Sequence, residues 1–269
     1  MFYLSFDVLI PALNEEEAIG QVLAPLARFR DEETLFGSRY RLRRLWVVDN
    51  GSEDATASIA KEFGAEVIFE PVRGYGRACL SGIDAMSDAP PDALLFVDAD
   101  GSDDLTELDL LITQLTSPIT SNHPRIRPVI GSSLMGHALP AQLVIGSRAR
   151  FAVEGALTPL QRFGNWLSCR LLKSIFNVRF TDLGPLRIIR WEALSRLKMR
   201  DQDFGWTVEM QAKAAALQIE TAEVDVHYLQ RYAGESKISG TLIGSCRAGV
   251  KILLTIAKAW LSAGRGTTP

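Results

Sequence analysis

Short apolar runs that end in polar or glycine-containing turns alternate along the chain with segments of helical spacing. The runs predict five strands, at residues 8–11, 45–49, 66–69, 94–98 and 143–146. The segments between them carry apolar residues three and four positions apart and predict helices over 15–29, 54–63, 74–86 and 106–115. Such alternation is typical of βαβ units around a parallel sheet with helices on both faces. The pattern therefore predicts a Rossmann-like α/β fold.

The second half of the chain departs from this rhythm. Residues 117–141 hold several prolines and serines without a clear period, which predicts a long irregular insertion. Beyond it, the pattern predicts helices over 160–176 and 206–217, a mixed region over 182–197 and a strand over 219–226. A last amphipathic helix starts at about residue 242. We expect a catalytic domain over 1–241, followed by this helix and a tail over 242–269.

Composition supports one large domain and limits the classes of function. A chain of 269 residues, 47% of them hydrophobic, can bury a single large core. The net charge is −3 and the basic residues are scattered, which argues against a nucleic-acid partner. Cys79, Cys169 and Cys246 lie far apart without a CxxC pair. They predict neither a disulfide framework nor a zinc site, and a reducing cytoplasm fits them best.

Neither end of the chain predicts a secretion signal or a membrane span. The first residues lead directly into a strand. The late apolar stretch at 250–261 is interrupted by Lys251 and Lys258 and is too short to cross a bilayer. The final helix separates an apolar stripe from a basic one, which is compatible with an interfacial helix or with a helix packed on the core. The helix that carries Phe163 and Ile175 invites the same two interpretations.

Acidic residues concentrate just after the fourth predicted strand. Ligands of open α/β sheets bind beyond the carboxyl ends of the strands. Asp98 and Asp100 stand there in the sequence Asp-Ala-Asp-Gly, and carboxylates at this spacing can turn toward one hard cation. Such a cation would stabilise the charge that builds on a diphosphate leaving group. The same residues also fit an Asp-Gly turn with helix-capping aspartates.

Other strand ends carry residues suited to a nucleotide. Asp49 could accept hydrogen bonds from a base or ribose, or belong to an Asn-Gly turn that caps the next helix. Glu15 stays available for a ligand because helix-start interactions account for the acidic residues after it. Arg73, Gly74 and Gly76 resemble a phosphate-cradling loop. This loop lacks the third glycine of the dinucleotide fingerprint and follows the third strand, which disfavours a nicotinamide-dependent oxidoreductase.

Taken together, these motifs resemble the family 2 glycosyltransferases, and most closely the polyprenyl-phosphate (dolichol-phosphate) mannose or glucose synthase branch. From about Phe6 to Lys237 the chain presents, in the family's order, PALNEEE, VVDNGSEDAT, RGYGRA, VDADGS, VIGSR, TDLGPLR, GWTVEMQ and RYAGESK. The resemblance implies a single glycosyltransferase A-type domain with a mostly parallel mixed sheet. It also implies inverting transfer of a hexose from a donor such as UDP-glucose or GDP-mannose to a polyprenyl phosphate.

The resemblance further implies roles for individual residues. Those at the nucleotide sugar would be Pro11, Leu13, Glu15, Asp49, Asp98, Ala99 and Asp100. Asp98 and Asp100 would also hold Mg²⁺ or Mn²⁺, with Asp103 as a further ligand. The donor and acceptor phosphates would be surrounded by Arg148, Arg162, Arg231 and Lys237. Four cations around two phosphate groups are chemically sensible.

Three further residues have two interpretations each. Asp182 and Arg187 flank a Leu-Gly-Pro turn, where they form either a structural ion pair or part of the acceptor site. Glu209 is either a buried acceptor-side carboxylate or simply a helix residue. A phosphate acceptor is already a nucleophile at neutral pH and needs no base. A hydroxyl acceptor needs one, which would make Asp182 or Glu209 a catalytic base.

The chain also departs from the family's pattern. Asn50 stands where many relatives carry a second aspartate, and the transmembrane tail common in the branch is lacking. We therefore expect a peripheral enzyme at the cytoplasmic face of the membrane. The alternatives are a glycosyltransferase with a soluble hydroxyl acceptor, a sugar-phosphate nucleotidyltransferase and a non-catalytic nucleotide-sugar-binding protein. The nucleotidyltransferase is disfavoured because the N-terminus has no glycine-rich basic loop.

Overall fold

The computed structural model describes residues 4–30, 40–119, 123–131, 139–233 and 255–256, which form one sheet between two layers of helices. The strands are β1 (Leu4–Ala12), β2 (Tyr40–Asp49), β3 (Glu66–Phe69), β4 (Ala93–Phe96), β5 (Ile126–Ile130), β6 (Leu143–Ala152), β7 (Arg187–Arg190) and β8 (Thr221–Tyr228). The helices are α1 (Ile19–Leu23), α2 (Thr56–Glu62), α3 (Tyr75–Ala85), α4 (Leu108–Thr116), α5 (Pro159–Phe176), α6 (Trp191–Leu197) and α7 (Trp206–Ala216). Short 3₁₀ helices span Ala24–Phe29 and Leu105–Glu107.

The strands lie in the order β3-β2-β1-β4-β7-β6-β8-β5. β1 to β4, β6 and β8 run in one direction, and only β5 and β7 among the described strands run against them. The carboxyl ends of these six strands and the starts of β5 and β7 therefore lie at the same end of the sheet. The predicted α/β domain with a mostly parallel mixed sheet is confirmed.

Both faces of the sheet are buried, because successive side chains of a strand point to opposite sides. Val8 and Ile10 of β1 belong to the core beneath α1 and α4. Leu9, between them, belongs to the core beneath α3 and α7. All three side chains are fully buried. The two cores hold the sheet rigid and leave its carboxyl edge as the place for loops that bind ligands.

Two predicted elements differ from those observed. Residues 126–130, inside the predicted irregular insertion, form β5, so that prediction is wrong for this segment. Among the described strands, β5 pairs only with β8 and lies last in the strand order, where Pro128 is tolerated because one side of the strand needs no partner there. The first helix begins at Ile19 rather than at residue 15 and continues as a 3₁₀ helix from Ala24.

Of the predicted final helix, only Thr255 and Ile256 are described, and both are helical and buried. The domain boundary at 241/242 and Lys237 lie outside the described residues. In the part of the chain that the structure covers, no helix is both long and apolar enough to span a bilayer.

Candidate functional site

Two adjacent clefts open at the carboxyl edge of the sheet. The first cleft has a volume of about 490 Å³ and the second about 620 Å³. The residues that line both are Tyr75, Asp98, Asp100, Phe204 and Arg231. The first cleft is otherwise formed mainly by the loops that follow β1, β2 and β3, whereas the second is formed mainly by the ends of β6 and β8, the segments after them and the start of α7. Groups bound in the two clefts would therefore meet beside Asp98 and Asp100.

The turn after β4 is held by hydrogen bonds to its own residues and to the chain after β8. Oδ1 of Asp100 accepts hydrogen bonds from the N–H and the hydroxyl of Ser102. The N–H of Leu229 donates to the carbonyl oxygen of Ser102 at 2.8 Å, and that of Tyr232 to the carbonyl oxygen of Asp100 at 3.0 Å. The continuation of β8 is thereby laid along the turn, which carries Arg231 to the aspartates.

Arg231 forms ion pairs with residues of two loops, the one after β1 and the one after β4, each of which carries a separate sequence motif. Its Nη2 lies 2.7 Å from Oδ2 of Asp100, and its Nη1 lies 3.4 Å from Oε1 of Glu15. Pro11, Leu13, Arg73, Gly74 and Ala99 line the same first cleft. The structure thus brings together most residues predicted for a nucleotide sugar, and their individual roles stay predictions.

The three aspartates of the turn form a site short of positive charge. Burial, followed by the charge of Asp100, raises the pKa of Asp98 to about 6. Burial and the charges of both neighbours raise the pKa of Asp103 well above its usual range. Oδ1 of Asp103 is buried without a hydrogen-bond partner among the described residues. Within the described ranges, Arg231 is the one cation that forms an ion pair with any of the three. Hard oxygen ligands with surplus negative charge fit a divalent cation.

A different trio lies closer together than these aspartates do. Asp104, Glu107 and His227 place one ligand atom each within 4.8 Å of the others, the only such trio in the part of the chain that the structure covers. Oε1 of Glu107 is already 2.7 Å from Nη2 of Arg125 and 2.8 Å from Nδ1 of His227. Asp104 accepts the backbone N–H of Thr106 as a helix cap. The trio is therefore accounted for by structural contacts.

Arg148 lies in the wall of the second cleft and is held by Asp182. Its Nε lies 2.7 Å from Oδ2 of Asp182 and its Nη2 lies 2.9 Å from Oδ1. Its guanidinium also lies over the ring of Tyr228, 4.9 Å from the centroid. Asp182 is buried and lines neither cleft. Its predicted role as a base is therefore wrong, because both oxygens of its carboxylate are bound to Arg148.

Arg187 is neither the ion-pair partner of Asp182 nor a phosphate ligand, so both interpretations of this residue are wrong. It is fully buried where β7 begins. Its guanidinium donates to the carbonyl oxygens of Leu183, Gly184 and Thr207. Burial lowers the pKa of Arg187 to about 10. Arg187 therefore holds the turn at Leu183 and Gly184 from the protein interior, and its burial keeps it away from an acceptor.

Glu209 organises a loop rather than facing an acceptor, so its predicted catalytic role is also wrong. Its carboxylate accepts the backbone N–H groups of Arg200 and Asp201, at distances from 2.8 to 3.2 Å. It also pairs with Lys213 at 2.7 Å. These contacts fix the turn that brings Phe204 into both clefts.

Gly76 serves packing and not phosphate binding. A Cβ added there would lie 2.1 Å from the carbonyl oxygen of Asp201. The next residue, Arg77, donates its N–H to the carbonyl oxygen of Gln202 at 3.0 Å. The side of Gly76 that a phosphate would need is thus covered by the 201–203 backbone. Gly76 does not line the first cleft, which corrects the prediction for this glycine.

Asp49 and Arg162 do not reach the clefts either. Asp49 is buried and accepts the N–H of Ser52 at 2.9 Å, as expected of an Asn-Gly turn. Arg162 is exposed on α5, outside the lining of both clefts. Tyr75 and Phe204 line both clefts but are not predicted by the sequence motifs. Tyr75 lies inside the glycine-containing motif, and its hydroxyl donates to Oδ1 of Asp98 at 3.1 Å. Residue spacing in the sequence does not predict this contact.

Asn50, which departs from the family's pattern, holds one wall of the first cleft together. Its Nδ2 donates to the carbonyl oxygens of Glu70 and Val72, at 3.0 and 2.8 Å. Its Oδ1 accepts the N–H of Gly74 at 2.7 Å. An aspartate cannot make the first two hydrogen bonds, because an ionised carboxylate has no donor. The amide therefore sets the path of the loop that carries Arg73.

Comparison with known proteins agrees with this architecture. Residues 7–130 match the family model described as glycosyl transferase family 2. An uncharacterized glycosyltransferase of Mycobacterium tuberculosis is 33% identical over 238 residues, which cover 88% of this chain and 91% of that protein. A dolichyl-phosphate hexose transferase of Haloferax volcanii is 28% identical over 252 residues, covering 92% and 93%.

Solved structures share the fold. The crystal structure of glucosyl-3-phosphoglycerate synthase from M. tuberculosis, in complex with Mn²⁺, UDP and glucosyl-3-phosphoglycerate, matches with a TM-score of 0.64. The match covers 95% of this chain and 79% of that one, at 20% sequence identity. The common arrangement is therefore the sheet and its helices.

Proposed function

The chain belongs to glycosyl transferase family 2, and from this membership we propose that it moves a hexose from a nucleotide diphosphate sugar to a polyprenyl phosphate. The observation that carries the proposal is the wall common to the two clefts, with Asp98, Asp100 and Arg231 at their junction. A donor in the first cleft and an acceptor phosphate in the second would place their reacting atoms at this wall. The name of the Haloferax relative, a dolichyl-phosphate hexose transferase, supports the same acceptor class.

The proposed donor lies in the first cleft. Asp98, Asp100 and Asp103 would hold Mg²⁺ or Mn²⁺ there, and the related fold that was crystallised with Mn²⁺ and UDP supports this assignment. When bound, the ion supplies Lewis-acid stabilisation of the charge on the diphosphate. Arg231 would add a second positive charge near the oxygens of the diphosphate, because its guanidinium lies 2.7 Å from Asp100, one of the proposed metal ligands.

The proposed acceptor occupies the second cleft, whose chemistry suits a phosphate. The described residues that line it include Arg148 and Arg231, and no histidine or carboxylate apart from Asp98 and Asp100. A hydroxyl acceptor would need a base, whereas a phosphate oxygen is already nucleophilic. In the proposed step, that oxygen attacks the anomeric carbon in line while the bond to the diphosphate breaks. The configuration is therefore inverted, and the nucleoside diphosphate leaves with the bonding electrons.

The test combines pure protein, Mn²⁺, polyprenyl phosphate and radiolabelled UDP-glucose or GDP-mannose, and counts the label in the organic phase. We expect label there, removed by EDTA and absent when the free polyprenol replaces its phosphate. Label that stays in water while the donor is consumed would contradict the lipid acceptor. Transfer to the free polyprenol would contradict the phosphate nucleophile.

The wall tied by Asn50 gives a prediction about the donor. Asn50→Asp should weaken binding of UDP or GDP by about tenfold to a hundredfold, because two hydrogen bonds are lost and a carboxylate then faces two carbonyl oxygens. Isothermal titration calorimetry measures this. The matched control is Asn165→Asp on α5, which lines neither cleft and should bind nucleotide as the wild type does. Equal affinities for Asn50→Asp and wild type would contradict the role of the loop.

A further inference from the structure

The outer side of α5 presents large apolar side chains close to the mouth of the second cleft. Leu160, Phe163 and Trp166 are 46%, 56% and 55% exposed, and they succeed one another at three-residue spacing. The ring centroids of Phe163 and Trp166 lie 5.9 Å apart. Single exposed apolar residues are ordinary, but a contiguous group on one helix marks an interaction surface.

The helix that carries this surface is firmly placed. Its first turn is closed by a capping box, in which Thr158 accepts the N–H of Gln161 and Gln161 accepts that of Thr158. Its inner side buries Ser168, Cys169 and Leu172. Thr158 and Gln161 also line the second cleft. The apolar surface is therefore continuous with the mouth of that cleft and fixed relative to it.

The charge of α5 indicates which partner the surface suits. Arg162, Arg170 and Lys173 are exposed, and the helix contains no acidic residue. The guanidinium of Arg170 lies 5.9 Å from the ring centroid of Trp166. The chain as a whole carries a net charge of −3, so this basic helix is set apart from the rest. Aromatic side chains among basic ones match the interface of an anionic bilayer, where rings enter the headgroup region and cations pair with lipid phosphates.

We propose that this α5 face, comprising Leu160, Arg162, Phe163, Trp166, Arg170 and Lys173, docks onto the surface of an anionic lipid bilayer. The inference rests on the proposed function for its purpose: a polyprenyl phosphate holds its phosphate at the headgroups, and docking turns the mouth of the second cleft toward them. Leu229, which lines the same cleft and is itself exposed, extends the apolar rim. The acceptor phosphate then enters the cleft while its hydrocarbon chain stays in the membrane.

The test is co-sedimentation of the full chain with vesicles of phosphatidylcholine alone or mixed with phosphatidylglycerol, without donor or acceptor. We expect binding that requires phosphatidylglycerol. Binding should fall about a hundredfold in Phe163→Ser/Trp166→Ser, because the variant has no aromatic rings at these positions to transfer from water into the bilayer. The control is Phe69→Ser, which removes an equally exposed ring from β3 at the far end of the sheet and should leave binding unchanged. No binding to anionic vesicles, or equal binding by the double variant, overturns the proposal. A wild-type chain that self-associates through these two rings and does not bind vesicles also overturns the proposal.

A second measurement separates the docking surface from the proposed reaction. With a short, water-soluble polyprenyl phosphate and no vesicles, Phe163→Ser/Trp166→Ser should transfer sugar at the wild-type rate, because neither side chain lines a cleft. Vesicle binding without any transfer by the wild type would remove the proposed function and keep the docking surface. Transfer without vesicle binding would overturn the docking surface alone.

Discussion

Asp100→Asn is expected to lower the rate of sugar transfer about a thousandfold, because a Lewis acid at the diphosphate is worth several kcal/mol of transition-state stabilisation. Asp100 lies in the wall common to both clefts and is in contact with Arg231. Asparagine keeps the size of the side chain and the oxygen that accepts from Ser102, so the turn should hold its shape. Steady-state transfer at saturating donor measures the loss.

The matched control for this variant is Asp104→Asn, four residues along the same turn. Asp104 caps the short helix through Thr106 and lines neither cleft, and asparagine can accept the same N–H, so this replacement should change stability and activity little. A second readout is thermal unfolding: Mn²⁺ should raise the melting temperature of the wild type and of Asp104→Asn, and should do so far less in Asp100→Asn. Undiminished transfer by Asp100→Asn, or an equal Mn²⁺ effect in all three proteins, would contradict the metal assignment.

Arg148→Ala is expected to lower the free energy of unfolding by about 3–5 kcal/mol, because it leaves the buried carboxylate of Asp182 without its ion pair. The side chains of Arg148 and Asp182 are only 14% and 1% exposed, so the ion pair is largely shielded from water in the wild type. Asp182→Asn in the same chain removes the stranded charge and should restore much of the stability. Urea unfolding of the single and double variants measures both changes.

The control for this position is Arg150→Ala, two residues away on β6. The side chain of Arg150 is 58% exposed, and its loss should change stability little. Arg148→Lys, which keeps the charge without the paired hydrogen bonds, should fold and show a raised KM for the acceptor with an unchanged KM for the donor. Equal stability of Arg148→Ala and Arg150→Ala would show that Asp182 does not depend on this pair.

The alternation of apolar runs and helical segments was sufficient to predict the fold, since it reflects burial on both faces of a sheet. It also predicted which strand ends meet, because parallel strands bring their carboxyl ends to one edge. Glu15 and Asp100 illustrate this: each follows a strand, and the two lie on either side of Arg231. β5 is not predicted by the sequence because its proline and its short apolar run are typical of a loop, and its strand conformation depends on pairing with β8 at the end of the strand order.

The wrong predictions of site residues have one physical cause. Asp182, Arg187 and Glu209 are charged residues near motifs, a pattern that predicts chemistry, but each is buried and forms its hydrogen bonds within the protein. Whether a carboxylate faces a cleft or a backbone N–H depends on the rotation of its helix or turn in the assembled core. That rotation is a tertiary property, and residue spacing does not encode it. The same holds for Phe204, which a loop held by Glu209 carries to the clefts.

The contact between Arg231 and Glu15 joins positions that are 216 residues apart. A growing polypeptide that has just completed the turn after β4 already contains every acidic group proposed to hold the donor, but it lacks the guanidinium that balances them. The negative charges at the turn therefore have no ion-pair partner from Arg231 until β8, three places from β4 in the strand order, has been made. Because Arg231 follows β8, the last described strand, the charge balance at this turn requires nearly the whole of the described chain up to residue 233.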